Sequence, residues 1–265
     1  AKQVAELHRL SWNLGEAPLL FVVTPDEILI YNNYETPQVI ENGNLDPTAG
    51  IIETLSLTDG LVSQQLALKK YHRSLLESGE YWRQSMTRFN AQNRVDATLI
   101  SNLRIMRRTL INQISKRCDK SKEIITGVVH ALLSRSIFIK YLEERKDSNG
   151  ETVFPQDFYC NFMESAKWYT DVLNSKEATY NLFLTLKDKF NGDTLQVSEI
   201  ETEIITQDDL DELRTFILGN SELESRQLTL WPLYSYDIIP IQLISSIYEL
   251  FFHLSDEEDE KGTYY

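Results

Sequence analysis

One stretch limits what this chain can become more than any other: Ser121–Asp147, SKEIITGVVHALLSRSIFIKYLEERKD. Its apolar residues are Ile124, Ile125, Val128, Val129, Leu132, Leu133, Ile137, Phe138, Tyr141 and Leu142. They recur at the spacing of a helix that buries a broad stripe. Asp119 and Ser121 are candidate N-caps, and Lys140, Arg145 and Lys146 lie where the helix dipole favours cations. So wide a stripe needs partners on several sides, which places this helix at the centre of a helical domain. Arg135 falls within the stripe and needs a carboxylate if it is buried. Glu143 and Glu144 lie on a different turn, so the partner is expected from another helix. His130 has no metal-ligating neighbour at helical spacing and reads as structural; His8, His72 and His253 are equally isolated in sequence.

The segments before it are of another kind. Residues 1–14 read as an amphipathic helix with Val4, Leu7, Leu10 and Leu14 on one side, stopped by Gly15. Pro18–Val23 and Ile28–Tyr31 are short apolar strands around the turn Thr24–Glu27, which makes a hairpin. A hairpin alone is marginal, so the first helix and a third strand near Ile51–Leu57 are expected to cover it. From Thr58 the pattern is helical. It gives one helix over 58–78, a short one over 80–89, a basic helix over 93–113, then the central helix. Phe154–Phe190 divides into two or three short helices. A brief β segment is expected within 191–206, a helix over 207–218, an aromatic loop at Trp231–Asp237 and an apolar helix over 238–254. The fold class is mainly α (α+β): a small helix-plus-hairpin unit at 1–57, then a multi-helix domain at 58–254. Only 10 Gly and 7 Pro in 265 residues agree with long helices over an all-β chain full of tight turns.

Net charge is −14, which as a whole disfavours nonspecific nucleic-acid binding. The average hides two opposed segments. Arg94–Lys122 holds eight bases against Asp96 and Asp119, hence +6; Asp193–Glu212 holds eight acids and no base, hence −8. Arg104, Arg107 and Arg108 fall at i, i+3 and i+4, and Lys116 and Arg117 follow on the same helix. These five side chains are candidate phosphate contacts. The competing reading is a solvated face paired with the acidic segment. Trp12, Trp82, Trp168 and Trp231 read as core anchors.

Cys118 and Cys160 have neither zinc spacing nor a disulfide framework and fit a reducing, cytoplasmic setting. No signal-peptide core and no membrane-length apolar run stand out, so no membrane role is expected. Phosphate-binding glycine motifs, nucleophile elbows and zinc motifs are missing from the sequence. No catalytic residue and no metal ligand are assigned. Pro25–Glu27 is like the first acid of a metal-dependent nuclease, but no acid-x-Lys triplet follows on a strand to converge with it.

Three stretches carry a family resemblance: Leu7–Pro37; Arg94–Ile111 with His130–Asp147; and Tyr236–Tyr265, YDIIPIQLISSIYELFFHLSDEEDEKGTYY. Together they resemble the N-terminal part of large adenine-specific (N6) DNA methyltransferases of bacterial restriction-modification systems, including the fused restriction-methylation class. In that family a helix of this pattern and a charged linker lead into Gly-x-Tyr-Tyr-Thr-Pro. Ile239, Pro240, Leu243, Ser245, Ser246, Ile247, Tyr248, Glu249 and Phe251 match the helix, and Gly262, Tyr264 and Tyr265 match the start of the tetrapeptide. The resemblance implies that Gly262, Tyr264 and Tyr265 border the S-adenosylmethionine site of the full-length protein. It makes 255–265 a charged linker into a methyltransferase domain that these residues do not include. The Gly-rich loop and the Asn-Pro-Pro-Tyr motif of that domain are not in this sequence, so the chain by itself is expected to hold no cofactor and to be inactive. The implied partner of the whole enzyme is double-stranded DNA. Two alternatives remain open: a free-standing module that binds protein partners of a defence complex through Asp193–Glu212, and a degenerate metal-dependent nuclease built on the hairpin.

Overall fold

The computed structural model describes residues 2–40, 44–58, 61–85, 87–190, 195–218 and 234–253. The protein is mainly α with one small antiparallel sheet. It divides into two compact units, 1–99 and 100–265.

In the first unit, α1 (Lys2–Leu14) precedes a three-stranded sheet of β1 (Leu19–Val23), β2 (Glu27–Asn32) and β3 (Ile51–Ser56), ordered β1-β2-β3. Thr24 closes the β1–β2 turn by accepting from the Glu27 N–H and donating its hydroxyl to the Glu27 carbonyl. The β2–β3 register shifts between Ile30 and Tyr31, so Ile30 pairs with Glu53 but Tyr31 with Ile51. Such a bulge bends a strand and strengthens its twist. Alternation of side chains gives the sheet two covered faces. Val22, Leu29 and Tyr31 form one cluster with Val4 of α1; Ile30 and Leu55 form another with Tyr71 and Tyr81.

Tyr71 and Tyr81 belong to a broken helical run: α2 (Leu61–Leu68), a 3-10 turn, α3 (Arg73–Glu77) and α4 (Glu80–Ser85). The sequence reads as one helix over 58–78. The structure interrupts it at His72, whose backbone is extended and whose ring accepts from the Ser74 N–H as a cap. Packing of Tyr71 and Tyr81 on the sheet draws α2–α4 into the first unit, which therefore runs well past residue 57.

The face of α1 also differs from expectation. Ala5, His8 and Trp12 are buried, while Leu7 and Leu14 are 48% and 42% exposed. Ala5, His8 and Trp12 share a helical face at i, i+3 and i+7. Trp12 wins that face because its indole N–H also reaches the Asn93 carbonyl at 2.9 Å.

The second unit begins within α5 (Val95–Arg117) and centres on α6 (Lys122–Glu144). The Ser121 side chain caps α6 by accepting from the Ile124 N–H. Helices α7 (Tyr169–Val172), α9 (Glu199–Ile204) and α11 (Ile241–His253) all pack on α6, and α10 (Gln207–Leu218) packs on α7. Helix α8 (Lys176–Phe190) contributes Phe183, whose ring centroid lies 4.5 Å from the Arg135 guanidinium carbon. Where a short β segment was expected, residues 199–204 form α9, started by the Ser198 side chain accepting from the Glu201 N–H. The acids Glu199 and Glu201 in its first turn suit the positive end of the dipole.

Helix α6 has the length and apolar character to cross a membrane, yet 67% of its most apolar window is buried within the protein. It is a core helix, and its polar residues tie the unit together. Arg135, fully buried, meets Glu201 of α9 through Nη1–Oε1 at 2.7 Å and Nη2–Oε2 at 3.2 Å, and also donates to the Gln196 carbonyl. The carboxylate demanded by the sequence thus comes from another helix. Glu143 accepts from the Tyr169 N–H and from Lys140. Glu144 accepts from the Tyr236 N–H at 2.9 Å and also pairs with Lys140. Burial alone would lower the Lys140 pKa, but the Glu143 and Glu144 carboxylates outweigh it and hold it raised. Ser136 and Tyr169 share a hydrogen bond of 2.8 Å.

Candidate nucleic-acid interface

Helix α5 forms because Leu103, Met106, Leu110 and Ile114 recur every three to four residues, and all four are buried. Its cations are therefore sorted by their angle to that stripe. Arg107 lies nearly on it and is 3% exposed. Its Nε donates to Nε2 of His130 on α6 at 2.6 Å, which requires a neutral His130 whose proton sits on Nδ1. Arg104 is half-buried, and its buried Nε makes no hydrogen bond among the described residues. Arg117 donates to the fully buried carboxylate of Asp209 and to the Ile204 carbonyl. Asp209 also accepts from the N–H and hydroxyl of Thr206, so it both caps α10 and anchors the end of α5.

Arg108 and Lys116 remain. Both are exposed, and neither has an ion pair among the described residues. With the exposed Asn112 between them they lie at i, i+4 and i+8, a continuous ridge on the solvent side of α5. Of the five candidate phosphate contacts, the structure thus presents Arg108 and Lys116 together. It commits Arg107 to the interior and Arg117 to an ion pair, and leaves Arg104 between.

The acidic segment is sorted the same way. Glu201 and Asp209 are buried against arginines, and Glu203 pairs with Lys120 at 3.3 Å. Glu199, Asp208 and Asp211 are exposed, and Glu212 is half-buried. Pairing between the basic and acidic segments is therefore realised at Arg117 and Lys120. Asp193 lies outside the described residues, as do Gly262, Tyr264, Tyr265, Trp231 and the linker 255–265.

The first unit holds a shallow groove of about 350 Å³ lined by Asn32, Glu35, Gln38, Gly50, Ile51, Ile52 and Arg88. Gly50, at φ +80°, forms part of its wall, and a Cβ there would come within 2.8 Å of the His8 ring. His8 is 1% exposed and stacked on Tyr31, and burial pushes its pKa down to about 4. It is neutral at physiological pH and structural in role. Asp26 is exposed on the β1–β2 turn and Glu27 begins β2. Among the described residues no three His, Cys, Asp or Glu side chains converge as a metal site would require. Cys118 and Cys160 are free thiols.

Sequence reasoning named these cations and His130 but missed one contact and one grouping among them. The Arg107–His130 contact joins residues flagged separately, and 23 positions of chain conceal it. The ridge Arg108–Asn112–Lys116 was legible in the i+4 spacing, once the apolar stripe of α5 is used to decide which arginine turns inward. In comparisons with protein-family models, curated proteins and solved structures, the chain matches none of them.

Proposed function

We propose that this chain is the N-terminal, non-catalytic region of an S-adenosylmethionine-dependent DNA adenine-N6 methyltransferase of a restriction-modification or phage-defence system, acting in the cytoplasm. The observation that carries this is the succession of sequence motifs over 239–265: the Ile-Pro pattern, the charged stretch, then Gly262, Tyr264 and Tyr265. Two structural features support it. Residues 241–253 form α11, which packs on the central helix α6, so the segment leading to the methyl-donor site would leave from a braced support. The ridge of Arg108, Asn112 and Lys116 offers to a phosphate backbone two cations with no ion pair among the described residues. In this reading the whole enzyme takes its adenine out of the stack before methyl transfer. The helical region holds the duplex and braces the catalytic domain. In this reading the Gly-rich loop and the Asn-Pro-Pro-Tyr motif are not among these residues, and the chain's part is support and DNA contact.

The gene sequence downstream of Tyr265 provides a direct test. Thr-Pro followed by a Gly-rich strand-loop and Asn-Pro-Pro-Tyr is expected; a reading frame without them removes the proposal. For the DNA contact, Arg108→Glu with Lys116→Glu in the whole protein is expected to weaken duplex binding and to lower the slope of log affinity against log salt by about 2, close to one per lost phosphate contact. An unchanged slope would sink the role of the ridge while leaving the family assignment standing.

A further inference from the structure

We propose that the outer edge of β1 is a docking site for an extended peptide whose alternating apolar residues are flanked by Lys or Arg. In the β1–β2 pairing Leu19 faces Asn32 and Val23 faces Ile28. The Thr24 N–H bonds to the Glu27 carbonyl, and the Asn33 N–H bonds to the Pro18 carbonyl. These two bonds fix the parity: Leu20 and Val22 direct their backbone groups at β2, whereas Leu19, Phe21 and Val23 direct theirs away from the sheet. β1 is a terminal strand of the sheet, and no backbone partner is found for Leu19, Phe21 or Val23 among the described residues. Phe21 and Val23 are 40% and 69% exposed. The edge carries no lysine, no bulge and no proline inside the strand.

Charge names the occupant. Residues 10–68 contain eight acids and no Lys or Arg. Exposed Glu16 and Asp26 stand just before and just after the strand. Antiparallel pairing with a second copy, in its fullest overlap about Phe21, would bring Glu16 of each chain opposite Asp26 of the other, since 16 + 26 is twice 21. Like charges at both ends oppose that dimer. An added strand with cations at its ends meets opposite charge instead, while its backbone pairs with Leu19, Phe21 and Val23.

The test uses the full chain and a short peptide alternating Val and Thr between paired lysines. Amide hydrogen exchange at Leu19, Phe21 and Val23 is expected to slow on binding. The same peptide flanked by glutamates is expected to bind about tenfold more weakly or worse at low salt, as is the lysine peptide to Val23→Lys. Glu16→Lys with Asp26→Lys, both on exposed positions, should reverse the preference between the two peptides. Unchanged exchange at the three amides with saturating peptide overturns the proposal. So does equal binding of the two peptides, and so does protection that rises with protein concentration in the absence of peptide.

Discussion

Replacing Glu201 by Gln removes one charge from a pair in which the arginine side chain is 0% and the carboxylate 1% exposed. Arg135 would keep the Gln196 carbonyl and the Phe183 ring face but lose its ion-pair partner, with no other salt bridge to it among the described residues. Breaking a buried pair from one side costs about 3–5 kcal/mol, because the remaining charge is left desolvated. In a domain of this size each kcal/mol lowers Tm by about 2–4 °C, so a fall of about 6–20 °C is expected. Arg135→Met combined with Glu201→Leu removes both charges and fills similar volume, and should recover most of the loss. Urea unfolding followed by near-ultraviolet circular dichroism measures all the variants on one scale. If Glu201→Gln costs under about 1 kcal/mol, or the double variant is no better than the single, the pair is not the clasp between α6 and α9 described above.

Three further outcomes follow from the same contacts. His8 is neutral and buried with its pKa pushed from 6.5 down to about 4, so the unfolded chain takes up a proton before the folded one does. The first unit should keep its full stability above pH 6.5 and lose on the order of 3 kcal/mol as pH falls from there to about 4, and His8→Phe should flatten that profile in pH-dependent unfolding. Gly50→Ala forces a side chain into φ +80° and a Cβ to 2.8 Å from the His8 ring; a loss of about 2 kcal/mol or more is expected, with His8→Ala relieving the collision but not the backbone strain. Arg117→Ala leaves the fully buried Asp209 carboxylate with only its Thr206 bonds; thermal unfolding should show about 1–3 kcal/mol lost, and Asp209→Asn in the same chain should restore part of it.

The central helix, the hairpin and its third strand were readable from residue periodicity, because each depends on spacing within one short stretch. Errors arose where a distant contact chose between local options. The apolar pattern of Val4, Leu7, Leu10 and Leu14 was outweighed by Trp12, whose size and indole N–H found a socket at Asn93. The acids of residues 199–204 argue weakly for any one structure until Ser198 caps them and Arg135 holds Glu201. The cations of α5 were visible as a cluster, but which of them face water depends on His130 and Asp209, on other helices. Gly262, Tyr264 and Tyr265 rest on resemblance alone, since nothing in their own spacing implies a methyl donor.

Methyl transfer bears most directly on the functional account. With labelled S-adenosylmethionine and unmethylated duplex DNA, the intact protein should place the label on adenine N6, while residues 1–265 alone should transfer none. Label appearing with the isolated chain, or an intact protein that modifies cytosine or no base at all, would contradict it.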